Sequence, residues 1–370
     1  MKILSIETSC DETACAVVED GVKVLSNVIY SQADLHAETG GVVPEVAARE
    51  HILKIIPVVD GALKKAKCDW DDIDAIAVTK GPGLISSLII GTETASVMAM
   101  IKNKPIIPVH HIAGHIYANF LGGSGETGAD AESGPEFPIL ILTVSGGHNE
   151  IIYMKKHNEF SIVGETRDDA AGEAFDKVAR ILGLGYPGGP AISKAGEKGD
   201  REAFKLPRSY LEKDSLDFSF SGLKTAVLTQ VKEYLRKKGV DFSSDDFRTI
   251  STKIPTKFKN DLAASFQEAV VDVLTDKLLQ AAMTFKKTKE IHLAGGVSAN
   301  SRLREMITHK LQILEEKGGK SIRLRYPADL SYCTDNAAMI AAAGYFIYQS
   351  DPKKIKKGQN ITPTTSFDLF

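Results

Sequence analysis

Two histidines stand four residues apart, His111 and His115, in Val109-His110-His111-Ile112-Ala113-Gly114-His115, and a carboxylate, Asp335, lies far downstream in Ser331-Tyr332-Cys333-Thr334-Asp335-Asn336. Residues i and i+4 of a helix share one face, so a helix over 111–119 lets both imidazoles grip one ion. Two imidazoles and one carboxylate leave coordination positions open, which suits a catalytic metal better than a structural one. Completing the set requires one long-range contact that brings Asp335 back to the histidines. His110 points off the shared face and reads as a packing residue.

A second chemistry is written in the glycines. Ser145-Gly146-Gly147-His148 falls between two apolar runs and can cradle an anion, because glycines let successive N–H groups approach a ligand closely. Gly295-Gly296 opens the segment that leads to Asn300, where helix N-terminal donors can face phosphate or ribose. One Gly-Gly pair is more often a hairpin, but two such turns plus Pro187-Gly188-Gly189-Pro190 favour a nucleotide. There is no GxxxxGK[ST] and no GxGxxG after a strand, which argues against a P-loop and a dinucleotide fold.

The elements that must position these residues follow from periodicity. Lys2 to Ile6, Ala14 to Val18 and Val22 to Tyr30 read as strands around a hydroxyl- and acid-rich turn, Thr8 to Thr13. A helix runs from Glu45 towards Lys67, with Pro57 expected to kink or divide it. Ile73 to Thr79, a helix from Ser86 to Lys102, and Ile106 to Val109 lead into the histidine segment, a parallel arrangement. Residues 121–137 are glycine-rich and acidic and read as a flexible surface excursion. Strands at Pro138 to Val144, Asn149 to Met154 and Phe160 to Glu165 then repeat the opening plan, a hint of duplication. Helices over 259–285 and 300–316, strands at 292–294 and 321–326, and an alanine-rich helix, Asn336 to Tyr348, complete the chain. That last helix is expected to pack back on the first lobe, with Asp335 at its N-terminus. The division is therefore residues 1–120 with 330–370 as one lobe, 121–137 as an insertion and 138–329 as the other.

Bulk composition agrees with two lobes of an ordinary globular protein: 370 residues, 43% hydrophobic and 25% charged. Glu7 and Asp11 interrupt the opening apolar run, which excludes a secretory signal, and no run is long enough to span a membrane. Four scattered cysteines, Cys10, Cys15, Cys68 and Cys333, point to a reducing cytoplasm rather than a disulfide frame. A net charge of −3 offers no general attraction to nucleic acid, so any such binding must use local clusters, of which Arg236-Lys237-Lys238, Lys286 to Lys289 and Lys353 to Lys357 are the candidates.

Ten ordered motifs carry a specific resemblance: Ile6-Glu-Thr-Ser-Cys-Asp-Glu-Thr13, Gly40-Gly-Val-Val-Pro-Glu45, Lys80-Gly-Pro-Gly-Leu84, His111-Ile-Ala-Gly-His115, Val144-Ser-Gly-Gly-His148, Asp168 to Lys177, Tyr186-Pro-Gly-Gly189, Asp217 to Thr225, Gly295-Gly-Val-Ser-Ala-Asn300 and Cys333-Thr-Asp-Asn336. Over nearly its whole length the chain resembles the TsaD (YgjD/Kae) family, the tRNA N6-adenosine threonylcarbamoyltransferases, in its bacterial branch. The resemblance implies an α/β fold of the actin-like, sugar-kinase and Hsp70 (ASKHA) type, two duplicated lobes with a cleft between them. It implies threonylcarbamoyl-AMP as donor and, as acceptor, the tRNA adenosine just 3′ of the anticodon in tRNAs reading codons that begin with A. By position it implies His111, His115 and Asp335 as ligands of one divalent metal, iron (Fe2+) being usual and zinc (Zn2+) or manganese (Mn2+) the alternatives. Val144, Ser145, Gly146, Gly147, His148, Asp176, Gly189 and Asn300 are implied as the adenylate pocket. The implied partners are tRNA, an inactive TsaB-like paralogue that dimerises with the enzyme, and a small TsaE-like P-loop ATPase, with no membrane involved.

Such a transfer needs a base for the acceptor amine, and Asp11, with Glu12 second, is the candidate in the first turn. Three rival readings remain at this stage, the third a kinase or ATPase, which γ-phosphate transfer to a small alcohol would favour. A metalloprotease of the His-Glu-x-x-His kind needs glutamate at position 112, which is Ile112 here. A non-catalytic nucleotide-binding scaffold would not need the two histidines and Asp335.

Overall fold

The computed structural model describes residues 1–39, 41–122, 134–212, 214–240 and 247–366. In the first lobe, strands β1 (Lys2–Glu7), β2 (Glu12–Glu19) and β3 (Lys23–Ser31) lead through helices α1 (Ala33–Thr39) and α2 (Pro44–Ala66) to β4 (Ala75–Gly81), α3 (Ile85–Ile101), β5 (Ile106–His110) and α4 (His111–Tyr117). The second lobe runs β6 (Ile139–Val144), β7 (Asn149–Lys156), β8 (Glu159–Glu165), α5 (Ala171–Leu182), α6 (Gly188–Gly196), α7 (Ser221–Lys237), α8 (Phe247–Thr252), α9 (Thr256–Thr284), β9 (Glu290–Ala294), α10 (Ser301–Glu316) and β10 (Arg323–Arg325), and α11 (Ala337–Ser350) follows.

The hint of duplication becomes a topology. One sheet has the order β3-β2-β1-β4-β5 and the other β8-β7-β6-β9-β10, the same order when each lobe's strands are counted from its own start. In both, the first three strands form an antiparallel meander and the last two join in parallel through crossover helices. Parallel pairing demands such crossovers, and the helices they supply cover the outer faces of the sheets.

Helices α4 and α11 fill the layer between the two sheets. Residues 337 to 344 of α11 are buried without exception, which explains why this helix is apolar all round rather than on one stripe. It packs on β1, β2 and α4, as the sequence reading expects. Gly114 allows the approach: a Cβ there would stand 2.7 Å from Ile340 Cδ1.

The proline expectation needs correction. Pro57 lies inside α2, yet the helix continues unbroken from Pro44 to Ala66. The carbonyl that loses its donor belongs to Leu53, four residues earlier, and Leu53 is 64% exposed, so water can take the vacant bond. Most of the 121–137 excursion, residues 123–133, lies outside the described residues. No described helix is long and apolar enough to cross a membrane, and all four cysteines are unpaired.

Candidate functional site

Strand β5 delivers His110 to the edge of the sheet, where its Nδ1 accepts the Ile112 N–H at 3.1 Å and so caps α4. The first turns of α4 then present His111 and His115 on one face, their rings edge to face with centroids 4.7 Å apart. Asp335 arrives immediately before α11, whose start is held to β1 by the Ser5 hydroxyl donating to the Ala337 carbonyl at 2.6 Å. Asp335 Oδ1 lies 3.1 Å from His115 Nε2 and 3.5 Å from His111 Nε2. One donor atom from each of the three residues falls within 4.8 Å of the others, a cluster able to hold a metal ion.

The donor chemistry fits a cation. Among the described residues His115 Nδ1 has no hydrogen-bond partner, although the ring is buried, and its Nε2 meets only the Asp335 carboxylate. A buried imidazole left so is costly unless something accepts its lone pair. Burial pushes the Asp335 carboxyl up, but His111 and His115 overcome this and hold it well below the usual carboxylate range.

Across the interlobe space, a cleft of about 490 Å³ opens on the second lobe. Its wall takes Gly146 from the β6–β7 turn, Asp176 from α5, Gly189 from the start of α6 and Asn300 from the start of α10. Thr334, the residue before Asp335, also lines it, one residue along the chain from the histidine–aspartate cluster. At Gly146, Gly147, Gly189 and Gly296 an added Cβ would meet nothing within 4 Å. These glycines border open space, whereas their neighbours Gly172, Gly188 and Gly295 are pressed against backbone.

A family model described as TsaD, tRNA N6-adenosine threonylcarbamoyltransferase, matches residues 23–342. The chain belongs to the TsaD family. Relatives bearing that description include those of Thermomicrobium roseum, 50% identical over 94% of this chain and 92% of the relative, and Dehalococcoides mccartyi, 49% identical over 95% and 94%. The Staphylococcus epidermidis relative is 48% identical over 94% and 92%. Among solved structures, full-length HypF in its phosphate- and nucleotide-bound form covers 94% of this chain and 46% of its own, at 14% identity and a TM-score of 0.54, a likeness of fold. The expected α/β architecture of two ASKHA-type lobes thus stands.

Within this TsaD chain the residues singled out from the sequence fall into three places. His111, His115 and Asp335 form the cluster. Gly146, Asp176, Gly189 and Asn300 line the cleft. Val144 is buried at the end of β6, its carbonyl 2.5 Å from where a Gly295 Cβ would be, and it supports the cleft rather than lining it. The Ser145-to-His148 turn is closed by its own bonds, Ser145 N–H to the His148 carbonyl at 2.8 Å and His148 N–H to Ser145 Oγ at 3.1 Å. His148 lies outside the cluster but feels it. Burial, then the charges of His111 and His115, lower its pKa to about 4.

Two of the cleft residues have protein partners already. Asp176 Oδ1 accepts the Gly188 N–H at 2.7 Å. The Asn300 amide accepts from Leu303 N–H at 3.1 Å, capping α10, and donates to Gln267 at 2.8 Å. Asp11 is buried in the first turn, and Glu12 opens β2 with Ser31 donating to it at 3.1 Å. Burial and the negative charges of Asp335 and Asp11 raise the Glu12 carboxyl well above the ordinary glutamate range. Burial, with the charges of Asp11 and Asp176, raises the proton affinity of the Tyr186 hydroxyl.

The residue that sequence reasoning missed is Glu7, which entered only as an interruption of an apolar run. It is wholly buried, with one oxygen accepting the Ser9 N–H and the other the Thr79 hydroxyl. It also faces His111 Nδ1 at 3.4 Å, beside Ser9 Oγ at 3.1 Å, leaving Nε2 turned toward Asp335. A carboxylate on the far nitrogen of a ligating histidine fixes its tautomer and raises its basicity. Glu7→Gln is expected to weaken metal binding by about 10–100-fold in a chain that still folds, read by equilibrium dialysis against a metal buffer.

Burial disfavours the His111 cation, but Asp335 and Glu7 outweigh it and raise its pKa to about 9. A folded-state pKa above the unfolded value stabilises the metal-free protein below about pH 6.5, an advantage lost as pH rises through 9. A cation must displace the same proton. Its apparent affinity should therefore rise about tenfold per pH unit between about pH 7 and pH 9 and then level, measured by competition with a chromogenic chelator.

Proposed function

We propose that this chain transfers the threonylcarbamoyl group from threonylcarbamoyl-AMP to N6 of the adenosine 3′ of the anticodon, in tRNAs reading codons that begin with A. The observation that carries the reading is the glycine-bordered cleft that ends at Thr334, one residue from the cluster. It supports an adenylate seated beside a cation. We assign His111, His115 and Asp335 to one divalent ion, iron first and zinc or manganese as alternatives, because two imidazoles and a carboxylate with open positions suit ferrous iron. When bound, such an ion polarises the donor's oxygens and offsets their charge.

The chain's own groups do the remainder. Gly189 and Gly296 leave room for the adenosine, with Asp176 and Asn300 at its edge, and the Ser145-to-Gly147 backbone faces the phosphate. N6 attacks the carbamoyl carbon, the bond from that carbon to the phosphate oxygen breaks, and AMP leaves with the electron pair. The proton lost from N6 passes to the Asp11–Glu12 pair. The raised proton affinity of Glu12 brings a carboxylate closer to the working pH of a base. The decisive experiment is transfer of radiolabelled threonylcarbamoyl to unmodified tRNA by the chain with its partners. Absence of label in tRNA with intact donor present would overturn the reading. A protease reading finds no support, since position 112 is a buried isoleucine.

We assign the protein to the cytoplasm, in keeping with its unpaired thiols, and propose a TsaB-like paralogue and a TsaE-like ATPase as partners. The outward faces of the neighbouring helices α2 and α3 support a protein partner: Ile52, Leu53 and Ile56 on one and Ile89, Val97, Met100 and Ile101 on the other are all exposed. Ile56→Glu with Met100→Glu should leave the chain folded and weaken paralogue binding at least about a hundredfold, measured by calorimetry. The tail runs along the start of β5. Lys357 pairs with Pro105 at the start of β5, the end of that strand remote from His111.

A further inference from the structure

The turn that carries Asp11 and Glu12 is held from behind by α2. His51, fully buried on the inner face of that helix, places Nε2 3.0 Å from the Cys10 carbonyl and Nδ1 2.8 Å from Thr13 Oγ1. A carbonyl oxygen only accepts, so Nε2 carries the hydrogen and Nδ1 accepts from the Thr13 hydroxyl. One imidazole thus spans the turn, bonded to the residue before Asp11 and to the residue after Glu12. Burial lowers its proton affinity, in keeping with this neutral tautomer. The Asp11 carbonyl accepts the Gln32 N–H at 3.2 Å, a further tie on the same turn. His51 lines neither the cleft nor the metal cluster.

A histidine kept only for packing needs a partner for each nitrogen, wherever those partners lie. Here both partners belong to one four-residue stretch, from the β1–β2 turn into the first two residues of β2, and that stretch carries the two carboxylates. We propose that His51 is a positioning residue that fixes the shape of the Cys10–Thr13 turn and so the aim of Asp11 and Glu12 at the reacting amine. The proposal rests on the assignment of those carboxylates to proton transfer made above. A carboxylate misplaced by about 1 Å can cost about a hundredfold in rate while ground-state binding of donor and tRNA is kept.

The test is steady-state transfer by the full chain in complex with its partners, for His51→Ala, His51→Gln and Thr13→Val. The glutamine retains an N–H within reach of the Cys10 carbonyl, and the valine keeps the volume of Thr13 but removes its hydroxyl. His51→Ala is expected to lower kcat at least about tenfold, with KM for tRNA and metal bound per chain within about twofold of the native values. His51→Gln should recover at least about threefold of that loss, and Thr13→Val should lower kcat about threefold. A folded His51→Ala with kcat within about twofold of native overturns the proposal, as does a loss that parallels loss of metal or is not lessened by glutamine. If His51→Ala does not fold, an unchanged kcat in Thr13→Val overturns it instead. Asp11→Asn and Glu12→Gln measured alongside separate the two levels. If both keep native kcat, the assignment of the base fails and the proposal with it; if either falls while His51→Ala does not, the role of His51 alone is refuted.

Discussion

Asp335→Ala is expected to fold and to lose threonylcarbamoyl transfer by at least about a hundredfold, because it removes the anionic corner of the cation cluster. The substitution takes away the carboxylate that stands 3.1 Å from His115 and 3.5 Å from His111. Two buried imidazoles remain, and a divalent ion placed between them would lose the carboxylate that stands directly beside both rings. The fold should survive, since α11 is held by apolar contacts along Ala337 to Gly344 and by the Asn336 cap on Met339, none of which uses Asp335. Two measurements check the result together: metal per chain by inductively coupled plasma mass spectrometry, and label incorporated into tRNA. Loss of both in a chain that still folds, seen by circular dichroism, is the expected pattern. Full transfer by a metal-free Asp335→Ala protein would refute the cation's role in the reaction.

The second large effect comes from a side chain added where none stands. At Gly189 a Cβ would meet nothing within 4 Å, and the position lines the cleft, so Gly189→Val should fold normally and fill space meant for the adenosine. Its expected signature is a rise of at least about tenfold in the apparent KM for the donor, with the melting temperature unchanged. The adjacent Gly188 provides the contrast. A Cβ there would stand 2.5 Å from the Asp176 Cα and 2.6 Å from the Phe175 carbonyl, so even alanine forces α6 away from α5. Overpacking of that kind typically costs about 1–3 kcal/mol, and Gly188→Ala should lower the melting temperature by several degrees. Calorimetry and donor titration on the pair distinguish a ligand-facing glycine from a packing one. Equal donor KM for Gly189→Val and the native chain would show that the adenosine does not sit there.

Much of this site is readable from the amino-acid order, for identifiable reasons. The spacing of His111 and His115 matches a helical face, and Asn336 before an apolar run announces a helix start, which puts Asp335 at that helix's N-terminus. What sequence cannot show is where that terminus docks. The approach of α11 to α4 depends on the missing side chain of Gly114, a detail that has meaning only once both helices are placed. Glu7 and His51 escape for a different reason. Glu7 is a lone polar residue in an apolar strand and His51 one of many polar residues on the amphipathic α2, and neither stands out until its partners, which come from other parts of the chain, are seen. Helix α6 is also absent from the sequence reading, because Gly188-Gly189-Pro190 reads as a turn. Proline is tolerated in a helix's first turn, where the N–H groups have no carbonyl to meet.

The cluster is closed by residues drawn from the first and last thirds of the chain. A ribosome must therefore release nearly all of the polypeptide before the ion's pocket exists, and a nascent or truncated chain ending before Asp335 can retain at most the two imidazoles. Capture of an ion by the proposed cluster would thus certify that synthesis has reached Asp335 and that the stretch before α11 has come to α4.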